Sequence, residues 1–260
     1  MKTHQIRGPV AAGTFYPADP LELAETVDRL LEDARERTPA TRHPAAVIVP
    51  HAGYRYSGSV AAAAYAHFRP GPRAVILGPS HFLPLKGMVV PSVSAWVTPL
   101  GDVAVDDELR QEAVANGAIV DDAPHGSEHA IEVQLPFLQR IGHEPSVLPI
   151  AVGTTQPAEV ADLIEAFSGG PDVTVIVSTD LSHYNDAETA RRLDRRTADA
   201  VVARDPRSIR IEDACGVFAL RGIVEWARRT DREIRLLELR NSSDATGHVW
   251  RVVGYGAFVI

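Results

Sequence analysis

Ala45-Ala46-Val47-Ile48-Val49 runs straight into Pro50-His51-Ala52-Gly53, and Val173-Thr174-Val175-Ile176-Val177 runs into Ser178-Thr179-Asp180-Leu181-Ser182-His183. Each opens with a short, unbroken apolar run, the pattern of a strand buried on both faces of a parallel sheet. Each stops at a loop that carries histidine. Two further runs read as buried strands: Ala74–Leu77, which also ends at a histidine loop, Gly78-Pro79-Ser80-His81, and Ser146–Val152. Between them lie stretches with helical spacing. Leu23, Val27, Leu30, Leu31 and Ala34 mark one face of a helix from Leu21 to Arg37, with Asp19-Pro20 as its cap and first turn. An Ala-rich helix is expected over Ser57–Phe68, and others over Asp106–Asn116, Ser127–Ile141, Pro157–Phe167, Glu188–Arg204 and Asp213–Arg229. Arg235–Arg240 and Val249–Ile260 read as a hairpin closing one sheet edge. Short strands alternating with helices of ten or more residues predict a single α/β domain over residues 1–260, with a mostly parallel or mixed central sheet and helices on both faces.

Composition narrows the function. The chain has 260 residues, 26 basic against 34 acidic, and a net charge of −8, which argues against a nucleic-acid binder. The basic cluster Arg191-Arg192 with Arg195-Arg196 reads as a solvated helix face. A single cysteine excludes an internal disulfide and a four-cysteine zinc site, and suits a reducing compartment. No run reaches the roughly 18 apolar residues of a membrane helix, and Met1–Pro9 lacks the apolar core of a signal peptide. A cytoplasmic protein with no membrane association is expected.

The histidines carry the chemistry. His51 lies two residues past Val49, His81 four past Leu77 and His183 six past Val177, with Asp180 three past Val177. Ligands of open α/β sheets bind outside the carboxyl ends of the strands, so parallel neighbours would bring these side chains together. Imidazole is a common ligand for zinc, iron and copper. Cys215 is the lone thiol, and by residue type alone it reads first as a small buried hydrophobe. In His125–Leu135, Ser127 is a candidate cap, Glu128 a charge at a helix start, and His129 and Glu132 share a helical face. No phosphate loop, dinucleotide fingerprint or G-x-S-x-G setting occurs.

These motifs, together with Val10-Ala11-Ala12-Gly13-Thr14-Phe15-Tyr16-Pro17, Glu128–Phe137 and Ala214-Cys215-Gly216, resemble the Memo family, whose prokaryotic members are named AmmeMemoRadiSam system protein B. The resemblance runs from about residue 7 to the C-terminus. It implies a fold similar to class III extradiol dioxygenases, non-haem iron enzymes that split aromatic diols. It also implies a metal pocket with His51, His81 and Cys215 as ligands, where the extradiol enzymes have a carboxylate in place of the cysteine. Asp180, His183 and His129 would be catalytic, with His183 the acid/base and Asp180 positioning it. Iron is the favoured metal, and thiolate donation also suits copper or zinc. AMMECR-type and radical-SAM proteins are the implied partners. The expected function is a metal-binding redox protein of dioxygenase-like type, the alternative a binding or scaffold module using the same pocket for a peptide or partner.

Overall fold

The computed structural model describes residues 5–37, 44–66, 73–142, 144–168 and 173–260. The strands are β1 (Ile6–Arg7), β2 (Ala46–Val49), β3 (Arg73–Pro79), β4 (Met88–Val90), β5 (Ala95–Thr98), β6 (Gly101–Ala104), β7 (Ile119–Val120), β8 (Ser146–Val152), β9 (Val173–Ser178), β10 (His183–Asn185), β11 (Arg235–Asn241) and β12 (Val252–Val259). The helices are α1 (Pro20–Arg37), α2 (Ser59–Tyr65), α3 (Asp107–Ala115), α4 (Ala123–Gly126), α5 (Leu135–Ile141), α6 (Pro157–Phe167), α7 (Ala187–Val202), α8 (Val217–Arg229) and α9 (Ser243–Thr246).

Among the described residues, nine strands form one mixed sheet in the order β10-β12-β2-β9-β3-β8-β4-β7, with β11 paired to β12. Its centre, β2-β9-β3-β8, is parallel, while β12 and β4 run antiparallel to their central neighbours. β1, β5 and β6 make a small second sheet. Side chains alternate across the central strands, as the pleat requires. Ile48, Leu77, Leu148 and Val177 enter one apolar core beneath α3, α6, α7 and α8. Val47, Ile76, Val147 and Ile176 enter the other, beneath α1, α2 and α5. Helices therefore cover both faces, as expected. β11 and β12 close one edge as a hairpin, with α9 in the connection. No helix among the described residues is long and apolar enough to cross a membrane.

Local chemistry explains the element ends. Asp19 Oδ1 accepts the N–H groups of Leu21 and Glu22 and caps α1. Asp186 does the same for α7. Arg191, Arg192 and Arg195 of α7 are exposed, Arg191 pairing with Asp244, while the half-buried Arg196 pairs with Asp213.

Three predicted helices differ. Tyr54–Gly58 is a π-helical turn ahead of the shorter α2, and Phe68 lies outside the described residues. Ser127–Ile141 is not one helix: after α4 the chain is irregular to Ile131, turns once at Glu132–Gln134 and becomes helical only at Leu135. The cause is that Glu128 and Glu132 spend their carboxylates on distant partners, and Pro136 sits in the first turn of α5, where its missing N–H costs nothing. Asp213–Arg229 likewise splits into a turn at Ile211–Asp213 and α8, leaving Cys215 in the connection. The short strands β1, β4, β5, β6, β7 and β10 had no distinct pattern of their own.

Candidate metal centre

β2, β9 and β3 are parallel neighbours, with Val49 level with Ser178 and Leu77 with Val177. The residues that follow them emerge at one sheet end. His51, His81, His129, Asp180, His183 and Cys215 all line a single pocket of about 660 Å³. Every sequence-predicted site residue is therefore brought to one place, although His51 and Cys215 are 164 residues apart in the chain. One ring nitrogen from each of His51, His81 and His129 lies within 4.8 Å of the others.

The polar contacts fix which nitrogens face the pocket. Ser178 Oγ donates its single proton to the Ala130 carbonyl at 2.6 Å and accepts from Gln134 Nε2 at 2.9 Å. Toward His51 Nδ1, 3.0 Å away, it can only accept. His51 therefore carries its proton on Nδ1 and presents a bare Nε2, which lies 3.2 Å from Cys215 Sγ. Burial, then the neighbouring His81, pulls the His51 pKa down to about 3.

Glu128, fully buried, accepts the His81 backbone N–H at 2.6 Å, His81 Nδ1 at 2.9 Å and the Ala130 N–H at 2.8 Å. Burial opposes its charge, but these bonds win and hold its pKa at about 2. His81 is thereby held with Nε2 free. His129 Nδ1 lies 3.5 Å from the same Glu128 oxygen, and its ring lies tilted against Phe15 with centroids 4.2 Å apart. Burial, then His51, lowers the His129 pKa to about 4.

Cys215 Sγ receives the Asp180 backbone N–H at 3.3 Å. Burial, then the Asp180 charge, pushes its thiol well above the ordinary range. Its approach depends on Gly216, where a Cβ would meet the Thr179 side chain at 2.8 Å. Asp180 Oδ1 accepts the backbone N–H groups of His51 and Ala52, and burial raises its pKa. It does not orient the His183 ring, contrary to the sequence expectation: His183 Nδ1 donates to the Leu181 carbonyl at 2.7 Å, leaving Nε2 free.

Glu132 corrects a second expectation, because it does not share a face with His129. Fully buried, it binds Arg7 Nη1 at 2.7 Å, the Val10 and Ala11 N–H groups and the Tyr16 hydroxyl at 2.6 Å. It ties the N-terminal Val10–Pro17 loop, and with it Phe15, against the site. Sequence reading missed Glu128, Ser178 and Phe15 as site residues. The adjacency of Glu128 to His129 was the one available signal.

Two imidazoles backed by protein acceptors, each with a free nitrogen turned to a shared space, match the way proteins hold metal-ligating histidines. The thiol beside them is a soft donor whose proton a metal could replace. The residues fit a transition-metal ion.

The sequence profile described as Memo-like protein matches residues 7–259. The chain belongs to the Memo-like family. Proteins named MEMO1 family protein from three organisms are similar to it across nearly their whole length. That of Methanosarcina acetivorans is 34% identical, covering 98% of this chain and 99% of its own. Those of Sulfolobus acidocaldarius and Aquifex aeolicus are 33% and 36% identical, each over 96% of this chain and 97% of their own.

Proposed function

We propose that this Memo-like chain is a metal-dependent oxidoreductase of non-haem iron type, related in fold to the class III extradiol dioxygenases. The observation that carries the reading is the matched pair of backed imidazoles. His51 Nδ1 is committed to Ser178 and His81 Nδ1 to Glu128, so both rings aim a bare nitrogen into the pocket. His51, His81 and Cys215 would hold the ion. Iron bound there would supply redox and Lewis-acid chemistry, and the thiolate also suits copper(I) or zinc. His183, held by Leu181 with Nε2 free, would take a proton from a substrate hydroxyl, a role geometry allows before any pKa is considered. His129 would assist as a second proton-handling ring, and Asp180 would hold the backbone of His51 in place. Phe15, Tyr56 and Tyr255 would wall the reacting group from water.

A second ligand set has its own support, since His129 rather than Cys215 completes the tightest group with His51 and His81. Cys215→Ser and His129→Ala separate the two: loss of metal in one variant, with retention in the other, names the third ligand. The overall reading is tested by anaerobic metal analysis of the native protein and oxygen uptake with catechol. Near-stoichiometric iron and catechol-dependent oxygen consumption support it. A metal-free protein that binds peptides would instead be a recognition module. We further propose a cytoplasmic location and association with AMMECR-type and radical-SAM proteins, which co-purification from native extracts tests.

A further inference from the structure

The floor of the pocket is imidazole, thiol and carboxyl; its rim carries a fixed positive charge. Arg251, in the approach to β12, lines the pocket and is exposed. Its guanidinium carbon lies 5.2 Å from the ring centroid of Tyr184, another lining residue, within range of a cation–π contact. Both residues hold left-handed backbone, with φ of 56° and 62°. Side chains bulkier than glycine rarely adopt that conformation.

Among the described residues no carboxylate pairs with Arg251. Arg191 and Arg196 of α7 differ, being paired with Asp244 and Asp213. Asp180, the one carboxylate among the described residues lining the pocket, is turned to the backbone N–H groups of His51 and Ala52. A chain of net charge −8 thus keeps an unneutralised guanidinium at the mouth of this pocket. A guanidinium held by a ring contact still offers its planar fork of N–H donors, which matches two oxygens of a carboxylate or phosphate. The neighbouring walls are flat: Phe15, Tyr56 and Tyr255 line the same space.

We infer that the pocket takes a planar organic anion, whose carboxylate or phosphate group pairs with Arg251 while its flat body lies among the aromatic side chains. This names a substrate class for the reaction proposed above and rests on that pocket being the reacting site. Its test does not require metal.

The probes are benzoate, phenyl phosphate and the neutral benzyl alcohol, titrated calorimetrically into the full-length protein, as purified and after chelation. Benzoate or phenyl phosphate should bind on the order of tenfold tighter than benzyl alcohol, the size of one charge-assisted pairing, and the preference should shrink with added salt. Whichever anion binds more tightly identifies the oxyanion. Arg251→Gln should reduce the preference below about twofold while leaving benzyl alcohol affinity and metal content unchanged, and Arg251→Lys should keep part of it, as a point charge without the fork. Equal binding of charged and neutral probes by the unaltered protein, or an anion preference that survives Arg251→Gln, overturns the inference. Anion preference in a protein that never holds metal would leave this inference standing and remove the redox reading; metal without anion preference would do the reverse.

Discussion

Glu128 serves two neighbours at once, since its carboxylate fixes both the backbone after β3 and the ring of His81. Glu128→Gln keeps the size but loses an oxygen that accepts two N–H groups. Metal affinity, measured by competition with a chelator, should fall on the order of 10–100-fold, as it does when a ligand's supporting partner is removed. His51→Ala or His81→Ala should instead abolish most metal uptake while circular dichroism stays unchanged; metal retained by both variants would remove the site. Cys215 should resist alkylation in the metal-loaded protein and differ in rate after chelation, whereas one slow rate in both states marks a mere buried hydrophobe. His51 and His81 were legible because each follows a strand at the same point in its grammar. Glu128 was not, because it reaches a histidine 47 residues away. Cys215 was legible only through the family motif, since nothing local distinguishes a ligand from a small apolar residue.

At the scale of elements, stability rests on contacts that no single segment announces. Arg7 and Glu132 form a buried pair, and Arg7→Ala would leave the carboxylate without its cation. We expect a loss of about 3–5 kcal/mol in a denaturant titration, together with loosening of Phe15 from His129. α6 and α8 meet at Gly222, where a Cβ would come within 2.3 Å of Val160. Gly222→Ala should cost about 1–3 kcal/mol through overpacking, and Val160→Ala in the same chain should recover part of it. The helix that follows Asp19 was legible because apolar spacing and a capping residue agree there. Ser127–Ile141 was not, because its polar residues look like a solvated helical face yet bind Arg7, Val10, Ala11 and Tyr16 and the loop after β3.

Across the whole molecule, the alternation of buried strands and helices disclosed the mixed sheet, whereas the short strands outside its parallel centre carry too few side chains to show a period. The buried imidazoles set how the metal-free fold responds to acid. His51 sits at about 3, and His125 and His129 at about 4, all lowered first by burial. Below about pH 6.5 the unfolded chain takes up protons on these rings that the folded chain refuses, so stability falls as pH drops toward 4. Asp194, raised to about 6 by burial, and Asp180, also raised, act in the opposite sense. Three rings outweigh two carboxyls, and Glu128 adds a further loss between about 4.5 and 2. Urea midpoints of the chelated protein should therefore decline from pH 7 to pH 4; a flat or rising profile would contradict these assignments.

The 164-residue separation of His51 and Cys215 has a consequence during synthesis. At ribosomal rates the histidine emerges on the order of ten seconds or more before the thiol. Through that interval the nascent chain has imidazoles but no enclosed pocket, and β12, which lies beside β2 in the sheet, has not been made. Val253 and Tyr255 of β12 line the pocket, so its full lining exists only once β12 has been made and has paired with β2.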